Sequence, residues 1–322
     1  MSNLEPARIH VVRPGLLSTV QDLGRYGFQR YGMPVAGAMD TVALRLGNRL
    51  VGNPDHLAVL EMTMQGAELA FETEATIALT GADLSPHING EPAQNWTALG
   101  IAAGSILTFG ARRTGARAYL ALSGGIHVQP VLGSCSTHVR SRTGGHLGRT
   151  LAKDDFVHGH VPPSNARNCV GRSVPSKVRP SYQSEPTLRA VPGPQDDGFL
   201  PDAMHILTSN EYILSLQSDR MGYRLVGPPL LHKGAAEIIS EATPAGAVQV
   251  PPNQQPILLM ADRQTTGGYP KIAVVISADL PLAAQLVPGD RIGFAVVDFE
   301  EARALLREVD ARMNATIAPV RL

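Results

Sequence analysis

The chain has 322 residues, of which 43% are hydrophobic and 17% charged, with 28 basic residues balanced by 28 acidic ones. That composition fits a folded globular protein and excludes extended disorder or a coiled coil, while the length exceeds what one core ordinarily fills and predicts two domains. The neutral balance removes the bulk electrostatic case for nucleic acid or an anionic membrane surface, and no apolar run approaches the roughly 18 residues of a membrane span.

In chain order, the first eight residues, Met1 to Arg8, lack the basic-then-apolar order of a secretory signal. A capping aspartate, Asp40, and a terminating glycine, Gly52, predict a helix between them. Short β-branched or aliphatic runs then alternate with Gly and Pro: Ala75 to Leu79, Ser105 to Phe109 and Tyr119 to Leu122. From Val157 to Pro186 the text turns to Pro, Ser, Asn and Arg, which reads as a connector. Runs resume at Tyr212 to Leu216, Ile257 to Met260 and Ile272 to Ile276. A last helix is predicted from Asp298, where Asp298 and Glu301 have capping-box spacing and Phe299, Ala302, Leu305, Leu306 and Val309 share a face. Many short strands with frequent turns predict a mainly β protein built of barrels or sandwiches with a few short helices. The expected division is an N-terminal domain over residues 1–170, a linker over 171–186 and a C-terminal domain over 187–322. Cys135 and Cys169 have no metal-type spacing, so reduced thiols in a soluble, cytoplasmic protein are expected, with no metal site.

The halves echo each other. Glu61, Thr63, Gly66 and Ala67 align with Glu241, Thr243, Gly246 and Ala247, Asp83 with Asp262, and the turn at Gly104 with that at Gly289. Gln21-Asp22 loosely resembles Gln217-Ser218-Asp219. Matches in the same order suggest a duplicated β unit. Glu61, Glu241 and Asp83 are then framework markers as readily as functional groups.

One stretch has no counterpart in the first half. After Asp262 the chain continues Arg263-Gln264-Thr265-Thr266-Gly267-Gly268-Tyr269, placing a guanidinium, an amide, two hydroxyls and a phenol around two glycines. The glycines alone would make a turn, so the flanking polar groups predict a binding loop. Ser218, Asp219, Arg220, Tyr223 and Arg224 form a second polar cluster, read equally as local ion pairing or as a fork for a planar amide or carboxylate. Gln21, Asp22 and Arg25 admit the same two readings, beside Gly24 and Gly27. Cys135 with His138 is read as an inert thiol before a nucleophile and its base. No phosphate-binding loop, hydrolase elbow or metal-ligand set is present.

Arg13-Pro14-Gly15, Val20 to Gly27, Gly37 to Asp40, Leu50 to Asn53, Ala121 to Gly125, Leu132 to Ser134, Pro192 to Gln195, Ser218 to Leu225 and Ala261 to Pro270 together resemble the biotin-dependent carboxyltransferase family. That family includes components of 5-oxoprolinase, KipA and allophanate hydrolase, and the likeness runs from about Ile9 to Val309. It implies two tandem cyclophilin-like β-barrels. It also implies work as the C component of an ATP-dependent 5-oxoprolinase, beside a KipI-like B component and a LamB/YcsF-like A component, on a small amide or lactam substrate. ATP would be used by that complex. Two alternatives stand beside it: a carboxyltransferase component of a biotin-dependent urea or amide carboxylase, and a non-enzymatic antagonist of a KipI-like kinase inhibitor. No Met-Lys-Met site for attaching biotin occurs. Position 135 departs from the family, which commonly has arginine after Leu-Gly-Ser. The site expected on these grounds has Asp262, Arg263, Asp219 and Arg220 as catalytic groups. Gln264, Thr265, Thr266, Gly267, Gly268, Tyr269, Ser218, Arg224, Gln21, Asp22 and Arg25 are expected to bind substrate.

Overall fold

The computed structural model describes residues 5–317, so the outermost ends of both expected domain spans, and of the N-terminal stretch from Met1, lie outside the described residues. The protein is mainly β and divides into two compact units. The first comprises the chain up to Arg25, Ala36–Ser181 and the chain from Ala311; the second comprises Tyr26–Val35 and Tyr182–Asp310.

Two antiparallel sheets build the first unit. One runs in the order Phe156–His158, Arg8–Arg13, Glu68–Phe71, Ile106–Phe109, Pro86–Ile88 and Glu91–Pro92; the other runs Leu17–Gln21, Val59–Thr63, Thr114–Leu122, Ala75–Asp83 and Ala98–Ile101. Alternate residues of both meet in one core, Ile9, Val11, Leu69 and Phe71 from the first with Leu60, Met62, Ile77, Leu79, Leu120 and Leu122 from the second. Strand Ala75–Asp83 is buried at almost every position rather than alternating, because its other face carries the helix Thr41–Leu50. Thr80 donates to the Ala43 carbonyl at 2.7 Å. A side chain at Gly47 would stand 3.0 Å from Thr80 Oγ1 and 3.3 Å from Ala121, so glycine is what lets this helix lie close.

The helix begins where expected: Asp40 accepts from the Ala43 N–H at 2.8 Å. The Asp40 N–H donates to Tyr119 Oη, and Tyr119 donates to Glu61, each at 2.8 Å. Burial, then Glu61 and Asp40, push the Tyr119 phenol well up, so it serves as a fixed donor. Glu61 also accepts from the Met39 N–H at 2.9 Å, which makes it a framework carboxylate. Its sequence partner Glu241 instead sits exposed on the two-residue strand Glu241–Ala242. The echoed motifs therefore occupy unlike places.

Residues 171–181, read from sequence as part of a linker, belong to the first unit. Ala98 N–H donates to the Arg172 carbonyl at 2.8 Å and Val174 N–H to that of Trp96 at 2.9 Å, with Val174 fully buried.

Asp155 fastens the loop before strand Phe156–His158, accepting from Arg149 at 2.6 and 2.8 Å and from the Ala152 N–H at 2.7 Å. The Arg149 guanidinium holds its carboxyl far below the usual carboxylate range. A depressed folded pKa adds stability that is complete above the unfolded value near ~3.9 and is lost as pH falls toward the folded one. Asp155→Asn is accordingly expected to lower the melting temperature at neutral pH and to lessen its fall between about pH 4 and 2. Melting curves across that range check this.

The second unit is a closed barrel in the order Thr187–Pro192, Lys271–Val275, Ala247–Gln249, Ile257–Leu259, Gly222–Val226, Tyr212–Leu214 and Arg291–Val296. Parallel pairing of the first strand with the last closes it, Leu188 against Phe294. Leu188, Tyr223, Val248, Leu258, Ile272 and Phe294 are among its buried residues. The last helix, Phe299–Thr316, starts as expected, Asp298 accepting from the Glu301 N–H at 2.8 Å. Its Ala302, Leu305 and Val309 pack on Val191, Ile276 and Val297.

Candidate functional site

The loop that lacks a counterpart in the first half stands over the barrel of the second unit. Its start is pinned by a buried ion pair. Arg220 Nε and Nη2 each donate to one oxygen of Asp262 at 3.0 Å, and the Asp262 N–H returns to the Arg220 carbonyl at 2.8 Å. Both side chains are under one-tenth exposed. This fork is the bidentate geometry Arg favours, and it engages both carboxylate oxygens of Asp262. The neighbouring polar groups secure the turn into strand Gly222–Val226. Asp219 accepts from the Met221 and Gly222 N–H groups at 2.8 and 3.2 Å, and Ser218 Oγ accepts from that of Arg224 at 3.0 Å. The Arg224 side chain is exposed.

Arg263 is half-buried, donating from Nε to the Thr243 carbonyl at 2.8 Å and from Nη1 to that of Met260 at 3.3 Å. Burial draws its guanidinium pKa down, against an opposing influence of Tyr26. Gln264 donates to Gln249 Oε1 at 3.2 Å, and Thr243 Oγ1 donates to the Gln264 carbonyl. Thr265 is held through its carbonyl by the Thr243 N–H at 3.1 Å. Thr266 and Gly267 pair with Ala242 and Glu241 in a short ribbon. A side chain at Gly267 would meet Gln249 Nε2 at 2.7 Å, so this glycine allows the loop to close on the amide beneath. Gly268 accepts from the Ile238 N–H at 2.8 Å, and Tyr269 is part-exposed.

Sequence reasoning missed the group underneath. Lys271 opens the barrel strand after Pro270 and is 1% exposed. Its Nζ lies 2.6 Å from Glu241 Oε1, which also accepts from Gln195 Nε2 at 2.6 Å. The ammonium has three protons to place, and Glu241 is the one acceptor it approaches among the described residues. Lys271, then Gln195, holds the Glu241 carboxyl below its usual range. Lys271 pairs in register with Gln249, next to a bulge between Val248 and Gln249. Bulges re-aim side chains at functional rims. The signal was available: Lys271 is one of four lysines in the chain, a cation opening the apolar run Lys271-Ile272-Ala273-Val274-Val275.

Gln21, Asp22 and Arg25 lie in the other unit, where they clamp the Ser134–Thr137 loop. Asp22 accepts from Ser134 Oγ at 2.7 Å, from Ser136 Oγ and from the Cys135 N–H at 2.6 Å. Arg25, fully buried, donates to the Val131 and Ser136 carbonyls at 2.8 and 2.9 Å. Gln21 donates to the Thr137 carbonyl at 3.1 Å. Cys135 is no activated nucleophile, since burial and the nearby Asp22 carboxylate push its thiol up. His138 Nδ1 is engaged by Ser141 Oγ at 2.7 Å.

The second unit thus joins a buried ammonium, a half-buried guanidinium, two glutamine amides and a glycine-rich ribbon in one hydrogen-bonded cluster. It suits a small planar ligand with an anionic group, since two desolvated cations attract developing negative charge and the amides orient it. Among the described residues no cluster of three His, Cys, Asp or Glu side chains is poised to hold a metal, and no helix is long and apolar enough to cross a membrane.

The carboxyltransferase domain family, subdomains A and B, matches residues 31–296, and the chain belongs to that family. It is similar to the C subunit of the Haemophilus influenzae 5-oxoprolinase, 38% identical over 294 residues, covering 90% of this chain and 92% of the relative. The Escherichia coli protein of the same name is 39% identical, covering 91% and 93%. Among solved structures, the K. lactis urea amidolyase superposes with a TM-score of 0.90 at 29% identity. That match takes in 99% of this chain, which spans 20% of that much longer one.

Proposed function

We propose that this chain is the C component of a cytoplasmic ATP-dependent 5-oxoprolinase, opening the lactam of 5-oxoproline to glutamate with a KipI-like B component and a LamB/YcsF-like A component, and inactive alone. The similarity to 5-oxoprolinase C subunits over nine-tenths of both chains supports it. The observation that carries the site assignment is the buried, under-coordinated ammonium of Lys271 beneath the Arg263–Tyr269 loop.

In this reading Lys271 and Arg263 receive the negative oxygens, whether substrate carboxylate, lactam oxygen or phosphate. Gln249 and Gln264 orient the planar lactam. Asp262 and Arg220 position the loop through their mutual pair, and Asp219 and Ser218 shape the neighbouring turn. Hydrolysis adds water across the acyl carbon, breaks the ring C–N bond and leaves the proton on the departing amine. An uncatalysed amide faces a barrier that enzymes lower by about 8 to 23 kcal/mol, and phosphoryl transfer from ATP would activate the lactam oxygen for that attack.

Reconstitution with the A and B components tests the proposal, measuring ATP-dependent glutamate formation from 5-oxoproline. Glutamate produced only when all three are present supports it; no glutamate from a correctly assembled complex rejects it. A second reading has its own observation, the 0.90 superposition on urea amidolyase. A carboxyltransferase working with a separate biotin carrier would show avidin-sensitive carboxylation of urea, and the same preparation distinguishes the two.

A further inference from the structure

The first unit carries a polar pocket of about 460 Å³, lined by none of the residues placed in the site above but by Asp83, His87, Gln94, Asn95, Arg113 and Arg179, with Ser85 and Thr97 in its walls. Asp83 is the sequence counterpart of Asp262, yet no bidentate buried fork holds its carboxylate. It accepts from the Ser85 N–H at 2.8 Å, stands 3.8 Å from Arg113 Nη1 and is one-third exposed. Arg179 is carried on the arm that Arg172 and Val174 stitch to the strand beginning at Ala98. Its Nε is fixed on the Val174 carbonyl at 2.7 Å, and its two terminal amino groups have no partner among the described residues. His87 Nδ1 lies 2.9 Å from the Ser85 carbonyl, an acceptor only, so Nδ1 donates there and in the neutral ring Nε2 is the acceptor. The side-chain amides of Gln94 and Asn95 likewise have no partner among the described residues. One non-glycine residue in the walls, Ser85 at φ +50°, holds left-handed backbone, which costs about 1 kcal/mol or more and persists where surrounding structure enforces it.

These groups divide by chemistry. Arg179, and the protons of Arg113 not turned toward Asp83, offer guanidinium donors to a carboxylate, while Asp83 and His87 Nε2 offer acceptors to an N–H group. We propose that this pocket is a second, separate binding site for a small amino- or amidocarboxylate, a molecule with a carboxylate at one end and an N–H donor at the other. The volume lies in the range of ligand pockets, about 300 to 1,000 Å³, and its polar lining suits a polar guest. The site stands independently of the catalytic reading, because none of its residues belongs to the loop over the barrel.

Calorimetric titration of the full-length chain alone, in an Arg263→Ala background that disables the barrel site, tests this. The probes are L-glutamate, 5-oxoproline, succinate and inorganic phosphate. Saturable one-to-one binding of glutamate or 5-oxoproline is expected, weakened at least tenfold by Arg113→Gln with Arg179→Gln. Asp83→Asn should narrow the preference for glutamate over succinate. The circular-dichroism spectrum of each variant confirms folding, since these side chains lie at the surface. Three outcomes overturn the proposal: no saturable binding of either N–H-bearing probe, binding unaltered by the double arginine substitution, or phosphate bound while both of those carboxylates are ignored. Because turnover is never read, failure here leaves the 5-oxoprolinase proposal untouched, and failure of reconstitution leaves this one untouched.

Discussion

Lys271→Met is expected to reduce ATP-dependent glutamate formation by the reconstituted complex at least about a hundredfold, the scale on which removing one preorganised charge-stabilising donor acts. The fold should hardly notice. Methionine keeps the length and flexibility of the side chain in a barrel position that is already dry, and the partner left behind, Glu241, is 44% exposed and so is rehydrated rather than stranded. Removing a buried charge in favour of an apolar isostere is often neutral for stability, whereas orphaning a buried partner is costly; here only the first applies. Lys271→Arg should not rescue, because a planar fork cannot take the place of a compact ammonium beside the Gln249 bulge. Steady-state kinetics with melting curves of each variant check both parts. Turnover within threefold of the parent would remove Lys271 from the site.

That residue also shows how far the sequence reaches. The Arg263 to Tyr269 extension was legible because its polar excess is local and its glycines mark a turn, and the structure places those residues in one cluster with Gln249. The helix caps at Asp40 and Asp298 were legible for the same reason, each being a contact over three residues. Lys271 was not singled out, since a lysine opening a strand reads as an ordinary polar boundary until the barrel closes over it. Nor was the Arg220–Asp262 pair readable as a pair: its members are 42 residues apart and meet because the strands they adjoin, Gly222–Val226 and Ile257–Leu259, are neighbours in the barrel. The cluster at Asp22 and Arg25 reads like a site in one dimension, and in the fold Asp22 and one Arg25 nitrogen bond the protein's own Ser134–Thr137 loop. Duplicated motifs do not carry shared roles, as the buried Glu61 and exposed Glu241 show.

Arg220→Ala should be the most destabilising single change in the second unit. It strands the Asp262 carboxylate in a place under one-tenth exposed, and breaking such a pair from one side costs about 3 to 5 kcal/mol. For a unit of this size that corresponds to a melting-temperature loss of roughly 6 to 20 °C. Replacing both partners, Arg220→Met with Asp262→Leu, removes the stranded charge and should recover most of the loss, since buried pairs and well-packed apolar substitutes are close in stability. The two readings of Asp262 then separate in one preparation. If the pair only holds the loop's entrance, the double variant keeps the backbone bond from the Asp262 position to the Arg220 carbonyl and at least about a tenth of the parent's turnover. That outcome is expected, because the guanidinium binds both carboxylate oxygens in a buried bidentate pair that holds Asp262 as a structural partner. A stably folded double variant whose turnover falls more than a hundredfold would instead return Asp262 and Arg220 to the reacting groups, and would require the pair to open when substrate binds.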